Sequence, residues 1–595
     1  AGSAGSAGSA GSAGSVGSAG SAGGGRPRRP VSPSSHNRPV TLATPLVSLA
    51  ALPPLRVTPA PTPVPAPVAS SAAGIRAAAP GSLRQASGVD DIVDASAESA
   101  DEQRSFQVSV ERYPWLVDHC LARQRDAWPE IADRFPVVPL TTMIRWLIDG
   151  GAATQPQRVV TRVERIRAMR WLAAAPAVDV VLSAVTDGPD RVRVALEGYS
   201  QATVVLGDKA AVGPDIAFLP LPGEEPSVLD ADGLYEHRWM FHGPQFQAVC
   251  DITGICDAGI RGRLRALDAP GTLLDGAGQL VGYWVMARTG VDRIVLPTGV
   301  DYIELFGPEP PVGTVVDCTV RITGREDASI RADLDLAVDG RLWARVVGWT
   351  EHRFETDDVV WDVLRFPEYH VASQRHDGGW MLTPDRWRRT ASRDLVMRQY
   401  LTAAEQGQYH ALSPLARRPW LLGRMAAKDA VRDWLWGQDA GPLFPAEISL
   451  SNGARGEPLV SGGFDADLRV SLAHSRTLAV AIVGHGTPVG IDIEVVAPRD
   501  DRFQQMVLGA AEAALVPEDD RDRWMTRFWV AKEADSKAAG TGLNGRPKDF
   551  EITAVDGQAL RVGDRWIDTE VVTDEKGDEF IVAWTRGARV CSDRA

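Results

Sequence analysis

Two short stretches carry the residue types from which a phosphate-handling site is made. In Gly490-Ile-Asp-Ile-Glu494 apolar and acidic side chains alternate, so an extended strand puts Asp492 and Glu494 on one face and Ile491, Ile493 and Val495 on the other. In Trp529-Val-Ala-Lys-Glu-Ala-Asp-Ser-Lys537, a helix would align Trp529, Glu533 and Lys537 at i, i+4 and i+8, with Lys532 at the edge of that stripe. Hard oxygen ligands that leave room for water and phosphate oxygens suit Mg2+ acting on a pyrophosphate. The pattern therefore gives Asp492, Glu494 and Glu533 as metal ligands, with Lys532 and Lys537 near the substrate's phosphates. Each element alone has a plainer reading: Glu533 and Lys537 make an ordinary surface pair, and Asp492 and Glu494 could be the wet face of an edge strand.

Together the two stretches resemble the signature of 4'-phosphopantetheinyl transferases, G-[IV]-D-x-E followed by W-x-x-K-E-[AS]-x-x-K, and every fixed position is present. The resemblance implies transfer of phosphopantetheine from coenzyme A to a serine of an acyl carrier protein. Either Glu533 or a metal-ordered water would take the serine proton, with Lys537 assisting. Upstream, Gly423-Arg424-Met-Ala-Ala-Lys428 resembles a helix that lies near coenzyme A in Sfp-type members of that family. Arg424, Lys428 and Arg432, four apart on one face, either cover a helix with their stems or grip phosphate. Ser471-Leu-Ala-His474-Ser475 resembles the family's S-H-S motif, which implies that His474 meets the 3'-phosphate of coenzyme A. Ala473 replaces the usual serine there, and Glu457 stands where a basic residue is common.

The elements that must position these groups belong to a chain of 595 residues, long enough for two or three domains. A net charge of -14 argues against a general nucleic-acid binder. Five cysteines without C-x-x-C or zinc spacing fit a reduced, cytoplasmic setting. The apolar run Leu46–Leu55 is too short to span a membrane and is broken by Pro53 and Pro54. The chain opens on Ala1, so it is expected to be a piece of a longer polypeptide. Residues 1–105, an Ala/Gly/Ser repeat and then a Pro/Ala/Val tract with a basic cluster at Arg26 to Arg29, read as a disordered tether.

Ordered patterning begins with the alternation at Phe106. A helix is expected after Pro139 and to end at Gly150-Gly151, followed by strands at 158–166, 178–185, 191–197 and 201–206. A second unit repeats the plan, with a buried helix from Thr272 and strands at 314–323, 329–338 and 342–350. A helix wrapped by antiparallel strands, twice over, is a double hotdog. Residues 106–357 resemble the dehydratase domain of type I polyketide synthases: Asp118-His119 matches its catalytic histidine, Asp275 its catalytic aspartate, and Gln279 lies one helical turn on. His119 would take the α-proton of a β-hydroxyacyl thioester, and burial would keep a proton on Asp275 for the departing hydroxyl. Taken singly, His119 could be a buried core histidine and Asp275 a helix N-cap.

Three positions depart from that family's pattern. Arg123 sits at the glycine of H-x-x-x-G, the helix-opening proline is displaced to Pro139, and Y-G-P-x-F becomes His242-Gly-Pro-Gln-Phe246. These features resemble the dehydratases of iterative polyene and enediyne synthases.

Residues 358–395 read as a connection, and 396–590 as an α+β transferase with two halves, whose ligands Asp492 and Glu494 lie on the second strand of a hairpin with 478–483. The whole resembles the C-terminal end of an iterative polyketide synthase, implying a carrier of the same synthase as partner and a homodimer through the parent protein. Two other classes stay open: the double hotdog as a non-catalytic carrier-docking scaffold, and the entire chain as an interaction module.

Overall fold

The computed structural model describes residues 101–586, so the expected tether lies outside the described residues up to residue 100. The first strand, β1 (Asp101–Val108), begins a few residues before the Phe106 alternation and pairs with β3. The first half continues with α1 (Leu140–Ala153), β2 (Val159–Ala168), β3 (Val178–Thr186), β4 (Arg191–Leu196) and β5 (Ser200–Gly207). A short helix, α2 (Ala231–Glu236), leads into the second half: β6 (Val249–Cys256), β7 (Gly259–Arg265), α3 (Thr272–Arg288), β8 (Ile294–Leu305), β9 (Val315–Arg325), β10 (Ser329–Val338) and β11 (Arg341–Phe354). All eleven strands form one sheet, ordered β1-β3-β4-β5-β2-β8-β11-β10-β9-β7-β6. The halves meet where β2 pairs antiparallel with β8, Ile166 opposite Val300. α1 packs on β2 to β5 and α3 on β6 to β9, so each half is a helix held in a curved sheet, and together they form the expected double hotdog.

Burial explains these elements. In β4, Val192, Val194 and Leu196 face inward and Arg193 faces solvent. α3 is apolar and buried nearly all round, as a helix enclosed by sheet must be. Gly150-Gly151 does not end α1. The helix runs on to Ala153, because a Cβ at Gly150 would meet Leu182 at 2.8 Å and one at Gly151 would meet Val204 at 2.7 Å. The two glycines let α1 sit close to the sheet.

The connection is more than a spacer. It contains α4 (Asp358–Arg365), β12 (Gln374–Arg375), β13 (Trp380–Pro384) and the start of α5 (Thr390–Tyr400). α5 ends at its C-cap Leu401, and Thr402 and Glu405 form a capping box that starts α6 (Ala403–Ala411). Then come α7 (Pro414–Trp436), the hairpin β14 (Ile448–Asn452) and β15 (Pro458–Gly462), β16 (Leu468–Ser475) and β17 (Leu478–His485). The second half holds β18 (Ile491–Val495), α8 (Asp501–Val507), α9 (Ala510–Ala513), α10 (Arg521–Ala538), β19 (Ile552–Asp556), β20 (Ala559–Val562), β21 (Arg565–Thr573) and β22 (Glu579–Thr585). α7 packs on the sheet β12-β13-β17-β16, and α10 on β18-β22-β21-β20-β19.

The expected hairpin of β17 with β18 is corrected by this topology. Both edges of β17 are taken, by β13 and β16, so the chain crosses into the other sheet and β18 pairs with β22. Ser471 Oγ accepts the Ile491 N–H at the seam, and Thr585 Oγ1 accepts that of Gly490. Trp380, Ile482, Ile491, Ile493 and Trp584 form a core common to both sheets.

The two domains also grip each other. Arg123 N–H donates to Gln399 Oε1 at 3.0 Å and Gln399 Nε2 returns a bond to the Arg123 carbonyl at 2.9 Å, while Arg125 pairs with Glu447 at 2.7 Å. The Arg398 guanidinium lies 3.6 Å over the Phe135 ring. Among the described residues no helix is long and apolar enough to cross a membrane.

Gly490 allows β18 to touch α10: a Cβ there would fall 1.8 Å from the Ala534 carbonyl oxygen. Gly490→Ala is expected to destabilise the C-terminal domain by about 1–3 kcal/mol, read as a lower urea midpoint, because the strand must move off the helix. An unchanged midpoint would count against this contact.

Candidate functional site

In the double hotdog, a 3-10 turn at Pro114–Asp118 delivers His119, and the first turn of α3 delivers Asp275. His119 Nδ1–H donates to the Val137 carbonyl at 2.6 Å, which leaves Nε2 without a proton and able to accept one. Gln279 Nε2 donates to Asp275 Oδ2 at 2.8 Å and to the Phe246 carbonyl at 2.7 Å; its own Oε1 accepts from Tyr235 at 2.7 Å. Thus His119, Asp275 and Gln279 are brought together as the sequence implied. A fourth member was not assigned a role from sequence: His242 Nε2 lies 3.3 Å from Asp275 Oδ2, and its ring centroid is 5.2 Å from that of His119. Ligand atoms of His119, His242 and Asp275 all lie within 4.8 Å of one another.

The cluster stands between two cavities. One, of about 150 Å³, is mainly apolar and is walled by Met143, Met240, Trp349 and Trp361 among others. The second, of about 350 Å³, is polar and includes Arg123, Arg134 and Arg238; His242 lines both. Burial pushes His119 down to about 4, with His242 adding to the effect, so its ring is neutral at pH 7. The expectation for Asp275 is corrected. Burial would raise its carboxyl, but the neighbouring His242, the hydrogen bond between them, His119 and Gln279 outweigh it and hold Asp275 below the usual carboxylate range. That favours the ionised form of Asp275 over the proton donor expected from sequence. Glu351, also lining the apolar cavity, is pushed up to about 8 by burial, against a 2.8 Å bond from Trp349 Nε1. No motif or spacing in the sequence marks this residue. It faces inward because the pairing with β10 shifts register around Val347 and Gly348, where Gly348 has φ of 70°.

In the C-terminal domain the alternation in β18 holds: Ile491, Ile493 and Val495 are buried, Asp492 and Glu494 half-exposed. On α10, Trp529, Glu533 and Lys537 form the half-exposed stripe of an otherwise buried final stretch. Lys537 Nζ donates to Asp492 Oδ1 at 2.8 Å and to the Ile491 carbonyl at 3.0 Å. Burial, and then Asp492, raise Glu533, and among the described residues no hydrogen bond holds its carboxylate. Asp492 is raised by burial despite Lys537. Two carboxylates whose charged forms are disfavoured, Glu533 in part by Asp492, form a donor pair that a hard divalent cation would relieve. Glu494 does not join them as placed. Its Oε1 accepts from Ser475 Oγ at 3.4 Å and faces Arg499 at 4.0 Å, so the expected convergence of three acidic groups is corrected to two.

Two cations also need correction. Lys428 is fully buried in an ion pair with Glu405 at 2.6 Å and bonds the Tyr400 carbonyl at 2.8 Å. Lys532 is equally buried, 2.5 Å from Glu512 and 3.0 Å from the Pro547 carbonyl. Neither faces the Asp492 surface. Helical spacing gave the face of each but not what covers it. Arg424 is buried against Trp420 with Nη1 unpartnered, and His474 is exposed, its ring lowered by partial burial and by Lys537.

Comparison with known proteins bears on the second domain first. Residues 488–585 match the family described as the 4'-phosphopantetheinyl transferase superfamily. The chain is 27% identical over 139 residues to the 4'-phosphopantetheinyl transferase HetI of a Nostoc species, covering 22% of this chain and 58% of that protein. It is 33% identical over 89 residues to a holo-[acyl-carrier-protein] synthase of Exiguobacterium sibiricum, covering 15% of this chain and 69% of that protein. The chain thus spans little more than half the length of the first of these relatives. Among solved structures, the dehydratase domain of a mycocerosic acid synthase-like polyketide synthase aligns at 20% identity and TM-score 0.35, covering 43% of this chain and 92% of that one.

Removing the Lys428 cation should leave Glu405 buried and unpaired. Lys428→Met is expected to cost roughly 3–5 kcal/mol in urea unfolding, and Lys428→Met/Glu405→Leu to recover most of it. A single variant of normal stability with weakened coenzyme A binding would instead put this lysine on the substrate.

Proposed function

Because the chain belongs to the 4'-phosphopantetheinyl transferase superfamily, we propose that its C-terminal domain moves 4'-phosphopantetheine from coenzyme A to a carrier-protein serine, and that the double hotdog dehydrates β-hydroxyacyl chains on that arm. The observation that carries the first half is the Asp492–Lys537–Glu533 cluster at the surface shared by β18 and α10.

Glu533 is the base for the carrier serine: its raised proton affinity and unbonded carboxylate suit it to take the hydroxyl proton as the serine oxygen attacks the β-phosphate, the pyrophosphate P–O bond breaks and 3',5'-ADP leaves. Lys537 fixes Asp492 and ties it to the backbone of β18. Asp492 and Glu533 would hold Mg2+, which when bound neutralises charge on the pyrophosphate. The Arg424 cation and the exposed His474 ring are left for the phosphates of coenzyme A, since Lys428 and Lys532 are paired inside the domain.

In the hotdog, neutral His119 takes the α-proton through Nε2, and the apolar cavity excludes water from the acyl chain. One domain makes the arm and the other works on what the arm carries. This fits a place at the C-terminal end of an iterative, enediyne-like polyketide synthase, dimeric and cytoplasmic, with its own carrier as partner.

Incubating the full chain with coenzyme A, Mg2+ and an apo carrier is expected to add one phosphopantetheine mass to the carrier. Glu533→Ala should slow this by about 10²–10⁴-fold, and a chelator should stop it. A carrier of unchanged mass would overturn the transferase reading.

For dehydration, a β-hydroxyacyl-carrier should yield enoyl product with a rate that holds through neutral pH and falls as acid charges His119 toward pH 4. His119→Gln should remove turnover. A wild-type chain without turnover would make the hotdog a docking scaffold.

A further inference from the structure

Elimination of water needs a base and an acid, and Asp275, which its neighbours hold below the usual carboxylate range, is the poorer proton donor of the cluster. His242 is placed to be. Its side chain is 6% exposed, Nε2 lies 3.3 Å from Asp275 Oδ2, and Nδ1 is buried without a protein partner. The ring stacks on Phe241 with centroids 4.1 Å apart and lies at the junction of the apolar and polar cavities. An imidazole donating Nε2–H to a carboxylate is held in one orientation, with its other nitrogen left for a ligand. A buried nitrogen without a partner costs stability unless something fills the role in use.

We propose that His242 is a second catalytic histidine whose doubly protonated ring, held by the Asp275 carboxylate at Nε2–H, protonates the departing hydroxyl through Nδ1–H. The assignment rests on the dehydratase reading and extends it. His119 Nε2 takes the α-proton, and the Cα–H electron pair becomes the Cα–Cβ double bond. The Cβ–O bond breaks with its electrons on oxygen, which takes the His242 Nδ1 proton and leaves as water. His119 ends with one proton more and His242 with one fewer, so the cycle closes when His119 gives up a proton and His242 takes one. No oxidant or second substrate is needed. The carboxyl of Glu351 is the competing donor, because its Oε2 is also buried without a partner.

The test uses two leaving groups in the full chain: a β-hydroxyacyl thioester of N-acetylcysteamine, whose oxygen must be protonated, and its β-chloro analogue, whose chloride leaves unprotonated. His242→Gln is expected to lose about 10²–10⁴-fold on the hydroxy substrate and less than about threefold on the chloro substrate. His119→Gln should lose both. Retained chloride elimination also shows that the His242 variant is folded. Equal loss on both substrates in His242→Gln would overturn the assignment, as would the selective loss appearing in Glu351→Gln instead. Hydroxy-substrate turnover that a chelator abolishes and added Zn2+ restores would overturn it too, by making His119, His242 and Asp275 metal ligands. A wild-type chain inert on both thioesters would remove the dehydratase reading itself.

Discussion

The pairing of β2 with β8 is the constraint on which the hotdog site depends. Each half of the sheet wraps its own helix, but His119 comes from the first half and Asp275, Gln279 and His242 from the second. A continuous backbone ladder across the seam, with direct bonds such as that from the Gly243 N–H to the Asp118 carbonyl at 2.7 Å, fixes the turn at Pro114–Asp118 against the second half. The apolar faces of both halves merge into one core that includes Leu116, Ile166, Leu273 and Val300, so the catalytic groups ride on packed elements.

Buried charge is organised differently in the two domains. In the transferase, deep cations are spent on structure: Lys428 on Glu405, Lys532 on Glu512 and Arg432 on Asp429, each inside a helix-on-sheet layer. Such pairs stabilise little net, but each partner requires the other, which fixes how α6, α7, α9 and α10 sit. The groups left at the surface, Asp492, Glu533, Lys537 and His474, are partly solvated and can exchange partners. In the hotdog the charge instead sits at the meeting point of two cavities, where His242 helps hold Asp275 below the usual carboxylate range.

Much of this was legible in the sequence because it follows from period alone. Alternation at β4 and β18 and the i, i+4, i+8 stripe on α10 gave faces that the fold keeps. Errors arose where a long-range partner decides. The β17–β18 hairpin failed because β13, from the supposed connection, already occupied the free edge of β17. Lys428 and Lys532 were misplaced because an i+4 spacing does not reveal the acid that buries a lysine. The Asp275 protonation state depended on His242, visible in sequence only as a changed residue before Gly243-Pro244, and Glu351 was hidden by a register shift in β11.

The wall of the apolar cavity joins the two domains. Trp361, Leu364 and Arg365 of α4 and Leu395 of α5 line the same space as His119 and Asp275, yet the chain between those helices supplies β13 to the transferase sheet. Any recombination point set inside that segment would leave the hotdog with an unroofed, water-filled chamber and the transferase with a bare sheet edge. The two modules therefore share structural elements, and a swap of either for a foreign counterpart must carry this shared stretch with it.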